Sequence, residues 1–312
     1  MARKLAWQDL VLLYRYQNQR MILDNSLHLV FDPGLFSSSL LSVSLPSSEF
    51  YVAVDQLDSG NFPLLVGQIT LARAQHTARL SFLAPDELGA SPDYSELISH
   101  LAQEACDRGA LQMAGEVQVD SPGEEILSRN GFRSYTDQKI WKLPRLSPAR
   151  SGDVSWISGI QGDNTAAQIF YHRVVPAQIQ RLVPAPVFPA DQALISRREG
   201  RVAGLALTQF GPRGILLDLI LEPALDTLDE YLSALIFQLP YTRSREIYLR
   251  VRDYQGGIVS ALDKLGALPG DQQRLMVKQL AVHYNAQQAF MVQGFEKQPD
   301  VTAPISRTEM KN

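Results

Sequence analysis

Two carboxylates stand in strands that are otherwise apolar. Glu116 lies in the alternating stretch 111–119 and Asp218 in the run 214–221. Either is a candidate general base, since proton abstraction needs an acceptor held beside the nucleophile. The same positions also suit a carboxylate that faces solvent or pairs with an arginine. Tyr135, at the start of a strand, and Tyr254, in a turn after one, are candidate proton carriers, although tyrosine at such places also serves in packing. Cys106 and His100 share a predicted helix, but a spacing of six puts them on different faces, so no Cys–His nucleophile is expected. His28, His76, His100, His172 and His283 show no metal-ligand spacing, and no metal is predicted. Neither a Ser-His-Asp arrangement nor a Walker loop stands out.

The elements that must carry these residues occur twice. Gly67, Leu83-Ala84-Pro85 and Leu127-Ser128-Arg129-Asn130-Gly131 in the first half answer to Gly204, Leu221-Glu222-Pro223 and Leu262-Asp263-Lys264-Leu265-Gly266 in the second. The offsets, 137, 138 and 135 residues, drift so little that the chain reads as two copies of one domain. Predicted in the first copy are a helix over 5–16, strands near 51–54, 64–73 and 78–83, a helix over 94–108 capped by Ser91 or Asp93, a strand over 111–119, a short helix over 122–129 and a strand over 135–143. A serine-rich helix or loop is expected over 37–48. The second copy repeats the plan: a strand at 154–157, a helix over 164–173, a Pro-rich connection over 176–189, strands at 192–197, 201–209 and 214–221, a helix over 227–238, a strand over 246–252, a short helix over 257–264 and a strand over 273–282. The expected domains are 1–146 and 152–284, joined by a Pro- and Gly-containing linker, with 285–312 a flexible tail.

Composition sets the class. A chain of 312 residues, 45% hydrophobic and 20% charged, can bury a core in each of two globular domains. A formal charge of -4 gives no overall attraction to nucleic acid or an anionic membrane. The densest basic cluster, Arg243, Arg245, Arg250 and Arg252, alternates with apolar residues and Glu246, the pattern of a strand with a solvent face. One cysteine excludes an internal disulfide, Asp9 interrupts the N-terminal apolar run, and no stretch is long enough to span a bilayer. A cytoplasmic protein is expected.

Each half thus runs as a three-strand antiparallel meander, a helix, a strand, a short helix ending in Gly, and a final strand. With Gly131-Phe132, Tyr135, the closing Ile140-Trp141-Lys142-Leu143 and the apolar-x-Pro of Leu83-Ala84-Pro85, this resembles the GNAT acetyltransferase superfamily over nearly all of both halves. The resemblance implies an α/β (α+β) fold class: two tandem acyl-CoA N-acyltransferase-like domains, each a mixed, mostly antiparallel sheet flanked by helices. It also implies acetyl-CoA as cosubstrate, its pantetheine arm inserting where the fourth strand splays from the fifth. The candidate cofactor-binding residues are then Phe82, Leu83 and Ala84 in the first half and Ile220 and Leu221 in the second. The family's Arg/Gln-x-x-Gly-x-Gly/Ala phosphate turn is matched at Gly89, with Ser91 at the second small position and Asp86 in place of the basic or amide residue. Glu222 to Tyr231 has no glycine and four acidic residues. The tyrosine that commonly protonates the departing thiolate, four residues before the Gly, is replaced by Leu127 and Leu262, leaving Tyr135 and Tyr254 nearby.

The implied activity is transfer of an acetyl group to a primary amine of unknown identity. The first half, which retains Gly89 and Gly131-Phe132, is the expected cofactor site. The rival expectation is a catalytically degenerate tandem protein acting as a CoA-binding, sensing or scaffold module.

Overall fold

The computed structural model describes residues 2–10, 16, 18–31, 49–56, 64–72, 76–86, 92–144, 154–189, 193–225, 227–239 and 245–280. The serine-rich stretch 37–48, most of the linker and the tail over 285–312 lie outside them. In the first half, β1 (Ala2–Lys4) leads into a 3-10 turn, Trp7–Asp9, at the start of the helix expected over 5–16, and residues 11–15 of that helix lie outside the described residues. Asp9 closes this turn: its carboxylate takes the Arg3 guanidinium at 2.7 and 2.8 Å and the Ala6 N–H at 2.8 Å. A two-residue strand, β2 (Met21–Ile22), follows. Then come β3 (Phe50–Gln56), β4 (Leu64–Thr70), β5 (Thr77–Ala84), α1 (Ser95–Asp107), β6 (Gln112–Gln118), α2 (Pro122–Arg129) and β7 (Arg133–Leu143).

The second half runs β8 (Trp156–Ser158), α3 (Asn164–Val174), α4 (Ala177–Gln180), β9 (Ala193–Arg198), β10 (Arg201–Phe210), β11 (Gly214–Leu221), α5 (Leu228–Gln238), β12 (Glu246–Arg252), α6 (Gly257–Leu265) and β13 (Leu268–Gln279). Local chemistry accounts for many of the boundaries. Asp93 accepts the Ser95 N–H at the start of α1, and α2 begins with Ser121 as cap and Pro122 at its first position. Gly131 and Gly266, with φ of 83° and 74°, end α2 and α6 in the left-handed region where a side chain would be strained.

The repeat marks are contacts across strands. Gly67 pairs with Leu83 and Gly204 with Leu221, so each copy sets its glycine opposite the leucine of its Leu-x-Pro. A Cβ on Gly67 would lie 2.8 Å from Leu101 of α1, and one on Gly204 2.7 Å from Trp156 and Leu221. Glycine is kept there because another side chain approaches the backbone.

The described strands form one sheet of thirteen, in the order β1-β3-β4-β5-β6-β13-β7-β12-β11-β10-β9-β8, with β2 against β5. Each half ends in its predicted strand, yet that strand joins the other half. β13 lies between β6 and β7, and β7 between β13 and β12. This reciprocal exchange fuses the two sheets and removes what would have been two open edges at the centre. On one face α1 and α2 cover the first half and α5 and α6 the second, packing Leu97, Leu101 and Leu127 or Leu232, Leu235 and Leu262 into separate cores. On the opposite face the N-terminal segment covers the first half and α3 with α4 the second.

Candidate functional site

At the fusion line, on the face opposite α1 and α5, charged side chains from both halves converge. Arg250 of β12 is only 2% exposed. It reaches Asp218 of β11 at 3.1 Å, Glu116 of β6 at 3.2 Å and the Ser26 hydroxyl at 2.6 Å. Arg252 pairs with the other Asp218 oxygen at 3.1 Å. Glu116 also accepts the Asn25 backbone N–H at 3.1 Å and its side-chain amide at 3.0 Å, with Arg79 of β5 farther off at 3.5 Å.

Burial alone would push the Glu116 carboxyl up. Arg250 first, then Arg79 and the Asn25 hydrogen bonds outweigh it and hold the group down at about 2. For Asp218 burial is likewise opposed, by Arg250, Arg252 and Arg79, and its pKa is lowered. The structure thus decides between the readings of these two residues. Glu116 and Asp218 are ionised partners of arginines and poor proton acceptors at neutral pH. Arg250 and Arg252, predicted on a solvent face, are buried because these carboxylates receive them.

The strand gap implied by the resemblance is present in both halves but treated differently. β5 pairs with β6 only over Thr77–Arg79 and then diverges. Into that gap the chain inserts its own residues 19–25. Met21 and Ile22 pair with Leu83 and Phe82, the Leu23 N–H donates to the Ser81 carbonyl at 2.9 Å, and the Glu116 N–H donates to the Leu23 carbonyl at 2.8 Å. A little further on, the Asp86 N–H donates to Gln19. Phe82, Leu83 and Ala84 therefore do not line an open slot: β2 holds one side of them and β4 the other. Gly89 and Ser91 lie outside the described residues. In the first half, the expected cofactor site, the strand gap is filled from within by residues 21–23.

In the second half β11 pairs with β12 from Gly214 to Asp218 and then departs. No strand of the described residues fills the opening. Gln255 donates its side-chain amide to the Leu219 carbonyl, which marks the residues of β11 whose backbone faces β12. Backbone direction alternates along a strand, so Leu221 faces the opening as Leu219 does, while Ile220 faces β10, where it pairs with Leu205. The prolines at 176, 184, 186 and 189 help explain why the connection after α3 forms no inserted strand, since a proline has no N–H for a ladder. A groove of about 110 Å³ remains, lined by Val174, Leu221, Glu222, Leu228, Tyr254 and Gly257. It lies at the starts of α5 and α6.

The two tyrosines separate. Tyr135 sits at an irregularity in the β7–β13 register and packs, half-buried, against Leu182 and Leu275. Tyr254, in the turn Asp253–Gln255, lines the groove, and burial raises its pKa, so its hydroxyl stays protonated at neutral pH. Beside it stands Tyr171 of α3, whose hydroxyl donates to the Val183 carbonyl. Sequence reasoning missed Arg79, Asn25 and Tyr171; their partners are distant in the chain, and no local spacing announces such contacts.

The groove's chemistry suits an acyl-CoA in part. Leu221 offers backbone groups that the ladder leaves free, as an extended amide-bearing arm requires, and Glu222 is neutralised by Arg173. Asp229 and Glu230, in the first turn of α5, disfavour a diphosphate there. Among the described residues no cluster of His, Cys, Asp and Glu could hold a metal, and no helix is long and apolar enough to cross a membrane.

No protein-family model and no curated protein matches the sequence. Solved structures do. A GCN5-related N-acetyltransferase from Sphaerobacter thermophilus aligns over 89% of this chain and 95% of its own, with 12% identity and a TM-score of 0.51. A tandem GNAT protein from the clavulanic acid biosynthesis pathway, solved without AcCoA, aligns over 89% of this chain and 98% of its own, with 15% identity and a TM-score of 0.52. At such identities the likeness concerns the fold. With the strand order, the divergence after β5 and after β11, and a tandem GNAT structure matched along nearly its whole length, the chain has the GNAT N-acetyltransferase fold.

Proposed function

We propose that the protein is an acyl-CoA-dependent N-acyltransferase that moves an acetyl group from acetyl-CoA to a primary amine through one site, in the second half. We take residues 1–146 and 152–284 as the two copies, the first serving as structural partner to the second. The observation that carries this reading is the contrast between the gaps: residues 21–23 fill the one beside β5, and among the described residues the one beside β11 stays open at Leu221 and Tyr254. Acetyl-CoA would supply an activated acyl group with a thiolate leaving group. Leu221 would hold the pantetheine arm through its backbone, and Tyr254 would keep a proton at its hydroxyl for the thiolate. With Asp218 and Glu116 locked to arginines, water is the proton acceptor for the amine. One cysteine and no disulfide fit a reducing compartment such as the cytoplasm.

Calorimetry with CoA should show a single equivalent bound per chain. Acetyl-CoA with a mixture of primary amines should release CoA, and Tyr254→Phe should slow that release by roughly 10²-fold or more while leaving CoA affinity intact. Absence of any CoA binding would sink the proposal, and two equivalents would sink its single site. The ion-paired state of both strand carboxylates favours a second reading, a CoA-binding module without transfer. Binding without CoA release from any amine would support it.

A further inference from the structure

A second cavity, of about 330 Å³, opens on the fusion line, on the same face as the charge cluster. Thr77 and Arg79 of the first half and Gln209 and Asp218 of the second line its polar side, with Val183 and Pro186 of the Pro-rich connection opposite. Tyr171 lies between residues of the two: its hydroxyl donates to the carbonyl of Val183, which lines this cavity, and its ring shares a hydrophobic cluster with Tyr254, which lines the groove.

The floor offers donors and few acceptors. Asp218 accepts from Arg250 at one oxygen and is ion-paired through the other with Arg252 at 3.1 Å. Glu116 beneath is held by Arg250 and Asn25. Arg79 differs. Its side chain is 29% exposed, and among the described residues its one ion pair is the 3.5 Å contact to Glu116, whereas a guanidinium carries five N–H donors in a planar fork. The Thr77 hydroxyl already receives the Gln112 amide at 2.8 Å, which leaves its own proton to donate. A partly exposed guanidinium over occupied carboxylates selects a planar anion, and the Val183 and Pro186 side selects an apolar body.

We propose that this cavity binds a small molecule bearing a carboxylate, with the anion on Arg79, and that the acceptor of the second-half site is accordingly an amine that also carries a carboxylate. The role as acceptor rests on the acyltransfer reading; the cavity as a carboxylate site does not. The first half then contributes Arg79 to a reaction run by the second.

The test uses the full chain and paired probes: L-phenylalanine, L-glutamate and β-alanine against phenethylamine, γ-aminobutyrate with its carboxylate amidated, and ethylamine. Binding is read by ligand-observed NMR without CoA, and turnover by CoA release. At least one carboxylate-bearing probe should bind tenfold or more tightly than its neutral counterpart. Arg79→Gln should abolish that preference, Arg79→Lys should keep part of it, and Val183→Trp should block binding by filling the cavity without touching the ion pairs. CoA affinity should be unchanged in all three variants. Equal binding of the neutral amines, an unaltered preference in Arg79→Gln, or no binding by any probe would overturn the carboxylate site. Carboxylate binding without CoA binding would overturn the acyltransfer reading and leave the site standing.

Discussion

Arg250 is buried at 2% exposure because two carboxylates from different copies meet it. Gln273 pairs with Gln118 and Gln138 with Arg252, so Glu116 and Arg250, two residues before those partners, hold equivalent positions in the two copies. Identical copies would set like charges against each other here. Divergence to Glu and Arg turns that repulsion into an ion pair, which matches one copy to the other. Removing one partner leaves a buried charge uncompensated, so Glu116→Gln or Arg250→Met should cost about 3–5 kcal/mol by denaturant unfolding. The acid limb follows from the same contact. The Glu116 pKa is about 2 in the folded chain and lies below its ordinary value of 4.5, so its stabilisation is full above about pH 4.5 and is lost as pH falls towards 2. Asp218, also lowered, adds to that loss, and Asp24, which burial pushes up, works against it. In Glu116→Gln the fall in melting temperature between pH 5 and pH 3 should therefore be shallower than in the natural chain. An unchanged slope would remove Glu116 from the acid transition. Sequence located both carboxylates but left their partners open, because Glu116 and Arg250 are far apart along the chain and meet only through strand exchange.

Among the elements, β2 is the shortest and has the largest effect. Its two residues, with Leu23 beside them, fill the gap next to β5, and Leu23 is 1% exposed within the core beneath α1. Leu23→Ala should cost about 2–5 kcal/mol while leaving CoA affinity unchanged, measured by denaturation and calorimetry on the same sample. A gain of a second CoA site in that variant would show that the insertion merely competes with ligand. Gly204→Ala tests the other end of the pattern. Its Cβ would press on the Trp156 ring and Leu221 at 2.7 Å, an overpacking expected to cost about 1–3 kcal/mol. The helices and the long strands were legible because their apolar spacing is local, as in Leu97, Leu101 and Ala105 of α1. Met21 and Ile22 were not, because two apolar residues have no period and their pairing partner lies sixty residues away in β5.

Residues 1–280 form one compact unit. A chain cut after residue 146 keeps β7 but loses β13, which belongs beside β6, and the complementary fragment loses β7. Neither fragment should give the dispersed amide spectrum of a folded domain, whereas mixing the two should restore one. The intact chain should unfold in a single transition by calorimetry. Two separated transitions would mean that the exchanged strands do not couple the copies.

Sequence by itself determined the repeat, the order of the long strands and helices and the residue types at the fusion line, since all of these are written in spacing along the chain. Tertiary structure decided where each last strand goes, which gap stays open and which carboxylates are free. Those outcomes depend on which backbone and charged groups find partners across the sheet, and a partner's distance in space is not encoded by its distance in sequence. The GNAT fold was thus legible from the repeat, whereas the inequality of the two halves came from residues 19–25 filling the gap beside β5.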